Sequence, residues 1–204
     1  MNGITTAADY GWLKERYQGL LEAYCLTLVE NITPDQLLRE LRAEPEGRVT
    51  GVAELAEPSY DAWDEYEDEK LLVGVAAVGD WTLMVEYNGY VGNRSELMDP
   101  VCRGRTVVSH FRNVNAVDSF SWSQDGVTRL GFEPLFPAQR HGSDPDACLT
   151  EMREAGFDLR SDDERDFAGH TEAAFALAER ITGVRLTPEL FEELEITCGL
   201  VTLP

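Results

Sequence analysis

Apolar positions fall into three blocks along the chain. In the first, Leu13, Tyr17, Leu20, Leu21, Tyr24 and Leu28 recur at helical spacing and form one stripe. Thr6, with Asp9 three residues on, is the expected cap of that helix. Asn31 to Thr33 breaks the pattern. Thr33-Pro34-Asp35-Gln36 then opens a second helix running to about Ala43, in which Thr33 caps, Pro34 takes the first turn and Gln36 closes a capping box. Its buried residues are Leu37, Leu38 and Leu41.

The second block follows a period of two. Gly47 to Val52 reads as a short strand. Leu71 to Val78 is apolar on both faces, as a central strand is. Gly79-Asp80 and Asp125-Gly126 read as two-residue hairpin loops, and Asn88-Gly89 as a turn. Strands are expected at Trp81 to Tyr87, Thr106 to Arg112, Asp118 to Ser123 and Val127 to Glu133. Ser95 to Cys102 is a short helix or irregular turn. Pro134 and Pro137 end the sheet. Its single apolar face is expected to carry Val73, Val75, Trp81, Leu83, Phe111, Phe120, Trp122, Leu130 and Phe132.

The third block reads as helical throughout. Asp144-Pro145 starts a helix that Gly156 stops; Asp162, Asp163 and Glu164 precede a longer one to about Thr182; Thr187-Pro188 starts a last short one. The order helices, sheet, helices implies an α+β fold. We expect one domain over residues 1–204. Its antiparallel β-meander has about five strands, with N-terminal and C-terminal helices packed mainly on one face.

Composition narrows the function classes. The 204 residues hold 38 acids against 17 bases, a formal charge of −21. That argues against nucleic acid, whose phosphates need Lys and Arg, and against anionic membrane surfaces. No run approaches the length of a membrane span, and no signal peptide is visible. Cys25, Cys102, Cys148 and Cys198 lie far apart and fit reduced thiols in the cytoplasm. The acidity is uneven. Residues 54–70 hold eight acids and one base, interleaved with Tyr60, Trp63 and Tyr66, whereas residues 103–141 hold five Arg and three acids.

No HExxH, P-loop, nucleophile elbow or dinucleotide fingerprint occurs. The acidic clusters at Asp61–Glu69 and Asp158–Asp166 lack the glycine of a calcium loop. No metal, cofactor or catalytic residue is therefore assigned. Arg103 and Arg105 beside Cys102 would lower its thiol pKa, but no base accompanies it. Strand alternation turns Val108, His110 and Arg112 away from Val107 and Phe111, with Ser119, Ser121 and Ser123 set beside them. Glu86, His110, Arg112, Asn113, Asn115 and Arg129 are the candidate binding residues on this outer face, the Arg residues for anions and His110 for acid/base work. The plainer alternative is a solvated face with turn-forming Asn residues.

The strings VGDWTLMVEYNGYVG (Val78 to Gly92), VVSHFRNVNAVDSFSW (Val107 to Trp122), FEPLFP (Phe132 to Pro137) and HTEAAFALAERITGVRLTP (His170 to Pro188) resemble an uncharacterised actinobacterial domain-of-unknown-function family. The resemblance implies a cytosolic protein and supplies no activity. Residues 44–70 fall outside it and read as a variable acidic insertion. At fold level the chain is also similar to the small acidic immunity proteins of bacterial toxin systems. The leading expectation is a non-enzymatic cytoplasmic interaction module. It binds another protein, a basic one, through Asp61, Asp64, Glu65, Glu67, Asp68 and Glu69. The alternative is a small-molecule-binding protein or enzyme that uses the His110/Arg112 face.

Overall fold

A computed structural model describes residues 5–160 and 166–204. Eight strands form one antiparallel sheet: β1 (Tyr24–Glu30), β2 (Glu44–Thr50), β3 (Lys70–Val78), β4 (Trp81–Tyr87), β5 (Thr106–Arg112), β6 (Asp118–Gln124), β7 (Val127–Phe132) and β8 (Glu195–Thr202). Their order is β2-β8-β3-β4-β1-β5-β6-β7. The meander β3–β4 and β5–β6–β7 is as the sequence predicts, including Gly79 and the Asp125-Gly126 pair at positive φ. The class is α+β, but the sheet has eight strands rather than about five.

The added strands have physical reasons. β1 inserts between β4 and β5, where the sequence pattern predicts helix. The four-residue step from Tyr24 to Leu28 fits a helical turn and is also an even step along a strand, so both residues reach one face either way. β1 is buried on both faces, which erases the alternation that would mark it. The same holds for most of β8, which pairs with β2 and β3 and corrects the expectation of an all-helical C-terminal block. β2 is the exposed edge, and its Glu44, Pro45, Glu46 and Arg48 suit an edge that must not recruit another strand.

Most of the helices lie on one face, as expected, and two cover the other. On the first face α1 (Trp12–Arg16), α2 (Gln18–Glu22), α4 (Ala56–Tyr66), α6 (Leu149–Ala155), α7 (His170–Thr182) and α8 (Pro188–Glu193) contribute to a core with Tyr24, Leu83, Phe120, Leu130 and Phe132. On the second, α3 (Pro34–Glu40) and α5 (Ser95–Cys102) cover Val29, Val73, Val75, Met84 and Val107. The single apolar face predicted for Val73 and Leu83 is therefore two. Helix stops and starts follow local chemistry. Tyr17 separates α1 from α2 with non-helical backbone, and the Thr33–Gln36 capping box opens α3. α6 begins only at Leu149, after turns at Asp144 and Asp146. α7 begins at His170; the expected start at Asp162, Asp163 and Glu164 lies outside the described residues. No described helix is long and apolar enough to cross a membrane.

Candidate functional site

β1, β4 and β5 converge at one end of the sheet, and the candidate residues divide there between its faces. His110 and Arg112 share the first face with Tyr24, through the β1–β5 register. That face is not solvated. His110 is 4% exposed, lies under Phe175 of α7, and bonds Tyr24 Oη through Nδ1 at 3.0 Å. Its Nε2 is buried without a hydrogen-bond partner among the described residues. Burial pushes its pKa down to about 4, so the imidazole is neutral near pH 7. The outer-face expectation for His110 is corrected: α7 lies over it through Phe175.

Arg112 marks the boundary between core and solvent. Its Nη1 donates to both oxygens of buried Asp118, each at 2.9 Å. His170 Nε2 approaches the same carboxylate at 3.2 Å, while its Nδ1 lies 2.9 Å from the Phe167 carbonyl. The sequence pattern marks neither Asp118 nor His170 as a site residue. Their only signal is Asp118 facing Arg112 across the β5–β6 hairpin, legible once that register is known. A 590 Å³ cleft opens beside Arg112, lined also by Lys14, Gln18, Glu22, Val114 and Thr171. Lys14 is held at 2.6 Å by the nearly buried Glu172.

Glu86 lies on the second face. It is fully buried beside Cys25, and its two oxygens accept from Val91 N at 2.7 Å and Gly92 N at 2.9 Å. It thus clamps the turn of residues 88–93 onto the sheet. Burial raises its pKa to about 7, against the pull of those two N–H groups. Ser119 and Ser121 also belong here, paired with Phe111 and Ser109, and not beside His110. On the rim, a largely apolar pocket of 320 Å³ is lined by Trp63, Tyr90, Phe111, Arg112, Asn113 and Val114.

The other candidates separate. Asn113 Oδ1 accepts from Asn115 N at 2.9 Å and Val117 N at 3.0 Å, so Asn113 shapes the loop that carries Asn115. Arg129 stands near the other end of β6, bonded to Asp144 and lying over Trp122. It is not part of this site. Cys102 is buried, and burial pushes its thiol up to about 11, opposite to the effect expected from its Arg neighbours. No group of three or more His, Cys, Asp or Glu side chains among the described residues would hold a metal ion.

Residues 44–70 are integral to the fold, giving β2 and α4. The exposed acids Asp61, Asp64, Glu65, Glu67, Asp68 and Glu69 lie on α4 and its C-terminal turn, and none forms an ion pair among the described residues. Trp63, on the same helix, reaches the apolar pocket. A family model described as a family of unknown function (DUF6461) matches residues 3–204. No curated protein and no solved structure matches the chain.

Proposed function

We infer, from the premise that the chain belongs to the DUF6461 family of unknown function, that its role must be read from its own surface. The reading is a non-enzymatic, cytoplasmic interaction module that binds a basic protein, in the manner of an immunity protein. One observation carries it: α4 joins an acidic ridge without ion-pair partners among the described residues to one wall of an apolar pocket. Interfaces draw most of their affinity from a few side chains anchored in pockets, while surrounding charges steer the encounter. Burial raises the pKa of the Tyr90 phenol and the Asp68 charge adds to it, so ridge and pocket adjoin. A partner side chain with an apolar stem and flanking cations fits both.

The test is affinity capture from source-cell lysate at low and high salt. The wild-type bait is compared with a bait carrying Asn or Gln at the six acids, and with Trp63→Ala. The expected result is one basic protein, bound by the wild type at low salt and lost with either change. A wild-type bait with no salt-sensitive partner overturns the reading, as does a partner that both variants retain.

The 590 Å³ cleft beside Arg112 and Lys14 favours a second reading, small-molecule binding. It predicts ligand-induced thermal stabilisation by a small anion. Arg112→Lys, which keeps the charge and loses the planar fork, would weaken it.

A further inference from the structure

The second face carries another cleft, of about 200 Å³, between α5 and strands β5–β7. Its floor is built by strand alternation. Ser119, Ser121 and Ser123 line one side of β6, while Phe120 and Trp122 contribute to the first core. The hydroxyls of Ser119 and Ser121 have no hydrogen-bond partner among the described residues, and both side chains are only half-buried. His141 forms one wall. Its segment is bonded to the β7 edge through Gly131, N to O at 2.9 Å in both directions. The imidazole occupies the space a side chain at Gly131 would fill, since a Cβ there would meet His141 Nε2 at 2.5 Å.

Arg94 stands on the α5 side. Its guanidinium lies over the Tyr90 ring at 5.5 Å, and its Nε is shielded without a hydrogen-bond partner among the described residues. No carboxylate pairs with it among the described residues. It is the arginine that lines this cleft. Asn93 adds an amide. Among the described residues Asp99 is the single acid on the lining; it is exposed and does not pair with Arg94.

We propose that this cleft binds the phosphate group of a small phosphate monoester. The guanidinium supplies a fork that phosphate oxygens match, and seryl hydroxyls, amide and imidazole supply further donors. A phosphate offers at least three strong acceptor oxygens, whereas a carboxylate offers two, and the cleft's donors outnumber the latter. The volume lies below the roughly 300–1,000 Å³ of sites for drug-sized ligands, so the organic part is small.

The experiment is an amide NMR titration of the full chain with inorganic phosphate, glycerol phosphate and acetate. Saturable shifts confined to residues 93–95, 119–123 and 141 are expected with both phosphate probes. Arg94→Gln should weaken binding about tenfold or more, and Ser121→Ala by a smaller factor. Arg94→Lys, which keeps the charge and loses the fork, should fall between wild type and Arg94→Gln. Unfolding midpoints of the variants check that the fold is retained. Absence of saturable shifts overturns the proposal. So do shifts centred on Arg112 and Gln18, acetate binding as tight as phosphate, or phosphate affinity indifferent to Arg94→Gln in a folded variant.

Discussion

The hydroxyl of Tyr24 lies 3.0 Å from Nδ1 of His110, and the two rings meet edge to face at 5.2 Å between centroids. Both are buried, one on β1 and one on β5. Among the described residues either imidazole tautomer leaves Nε2 without a hydrogen-bond partner, so this bond is the side chain's one polar compensation there. Removing one partner should cost about 1–3 kcal/mol, the penalty for an orphaned buried polar group. Tyr24→Phe keeps the ring contact and isolates the difference. The double variant Tyr24→Phe/His110→Phe removes both polar groups and should recover part of the loss, giving a coupling near ~1 kcal/mol. Urea unfolding of the four proteins measures it. Strictly additive losses would mean that the bond contributes nothing.

That pair also shows what the pattern of residues could and could not reveal. Alternation correctly separated His110 and Arg112 from Val107 and Phe111, because side-chain direction along a strand is local. It gave no sign that α7 lies over His110, since that depends on a helix starting some sixty residues later. Hairpins β3–β4 and β6–β7 were legible from their Gly-containing turns. β1 and β8 were not, because they are sandwiched between two layers and carry apolar residues on both sides. Glu86 was a candidate by residue type, but its role as a clamp needs the turn of residues 88–93 folded back on it. The acids of residues 61–69 were plain in sequence. Their alliance with an apolar pocket was not, because Tyr90, Phe111 and Val114 come from other elements.

Asp118 is the buried anchor of the first-face site. Its side chain is wholly enclosed, whereas that of Arg112 is 20% exposed and that of His170 22% exposed. Asp118→Asn keeps the shape and removes the charge that Arg112 and His170 face. Breaking a fully buried ion pair costs about 3–5 kcal/mol. The partial exposure of Arg112 and His170 screens their side of the interaction, so about 2 kcal/mol is expected here. A variant within ~0.5 kcal/mol of wild type by chemical denaturation would show that solvent already neutralises this cluster.

Gly92 carries the second-face turn onto the sheet. A Cβ there would lie 2.1 Å from Thr27 Oγ1 and 2.9 Å from Cys25 Sγ, both buried within the sheet. Neither side chain has room to withdraw, because Thr27 and Ser109 are bonded at 2.9 Å beside Cys25. Gly92→Ala should therefore lift the turn and loosen the Glu86 clamp. Overpacking of this kind costs about 1–3 kcal/mol. Faster hydrogen exchange at Val91 and Gly92, the two amides that Glu86 holds, should accompany the loss. Unchanged protection at those amides would contradict the clamp.

Buried Glu86 and buried His110 pull the pH dependence of stability in opposite directions. His110 titrates near 6.5 when unfolded and about 4 when folded. Between those values the unfolded chain holds more protons, so stability falls as the pH is lowered through that window, by about 3 kcal/mol in total. Glu86 titrates near 4.5 when unfolded and about 7 when folded. Between those values the folded chain holds more protons, so stability rises as the pH is lowered, by a similar amount. The titratable or charged groups facing His110 are Asp118, His170 and Arg112; Glu86 faces backbone N–H groups and Cys25. Over their shared window, from about pH 6.5 to about pH 4.5, the two terms largely cancel. Each variant should expose the term that remains. Relative to wild type, His110→Phe should gain stability on going from pH 7.5 to pH 5, and Glu86→Gln should lose it. Differences from wild type remove the contributions of the other carboxylates. Denaturant unfolding at several pH values gives both slopes, and parallel profiles for all three proteins would rule out control by these two buried groups.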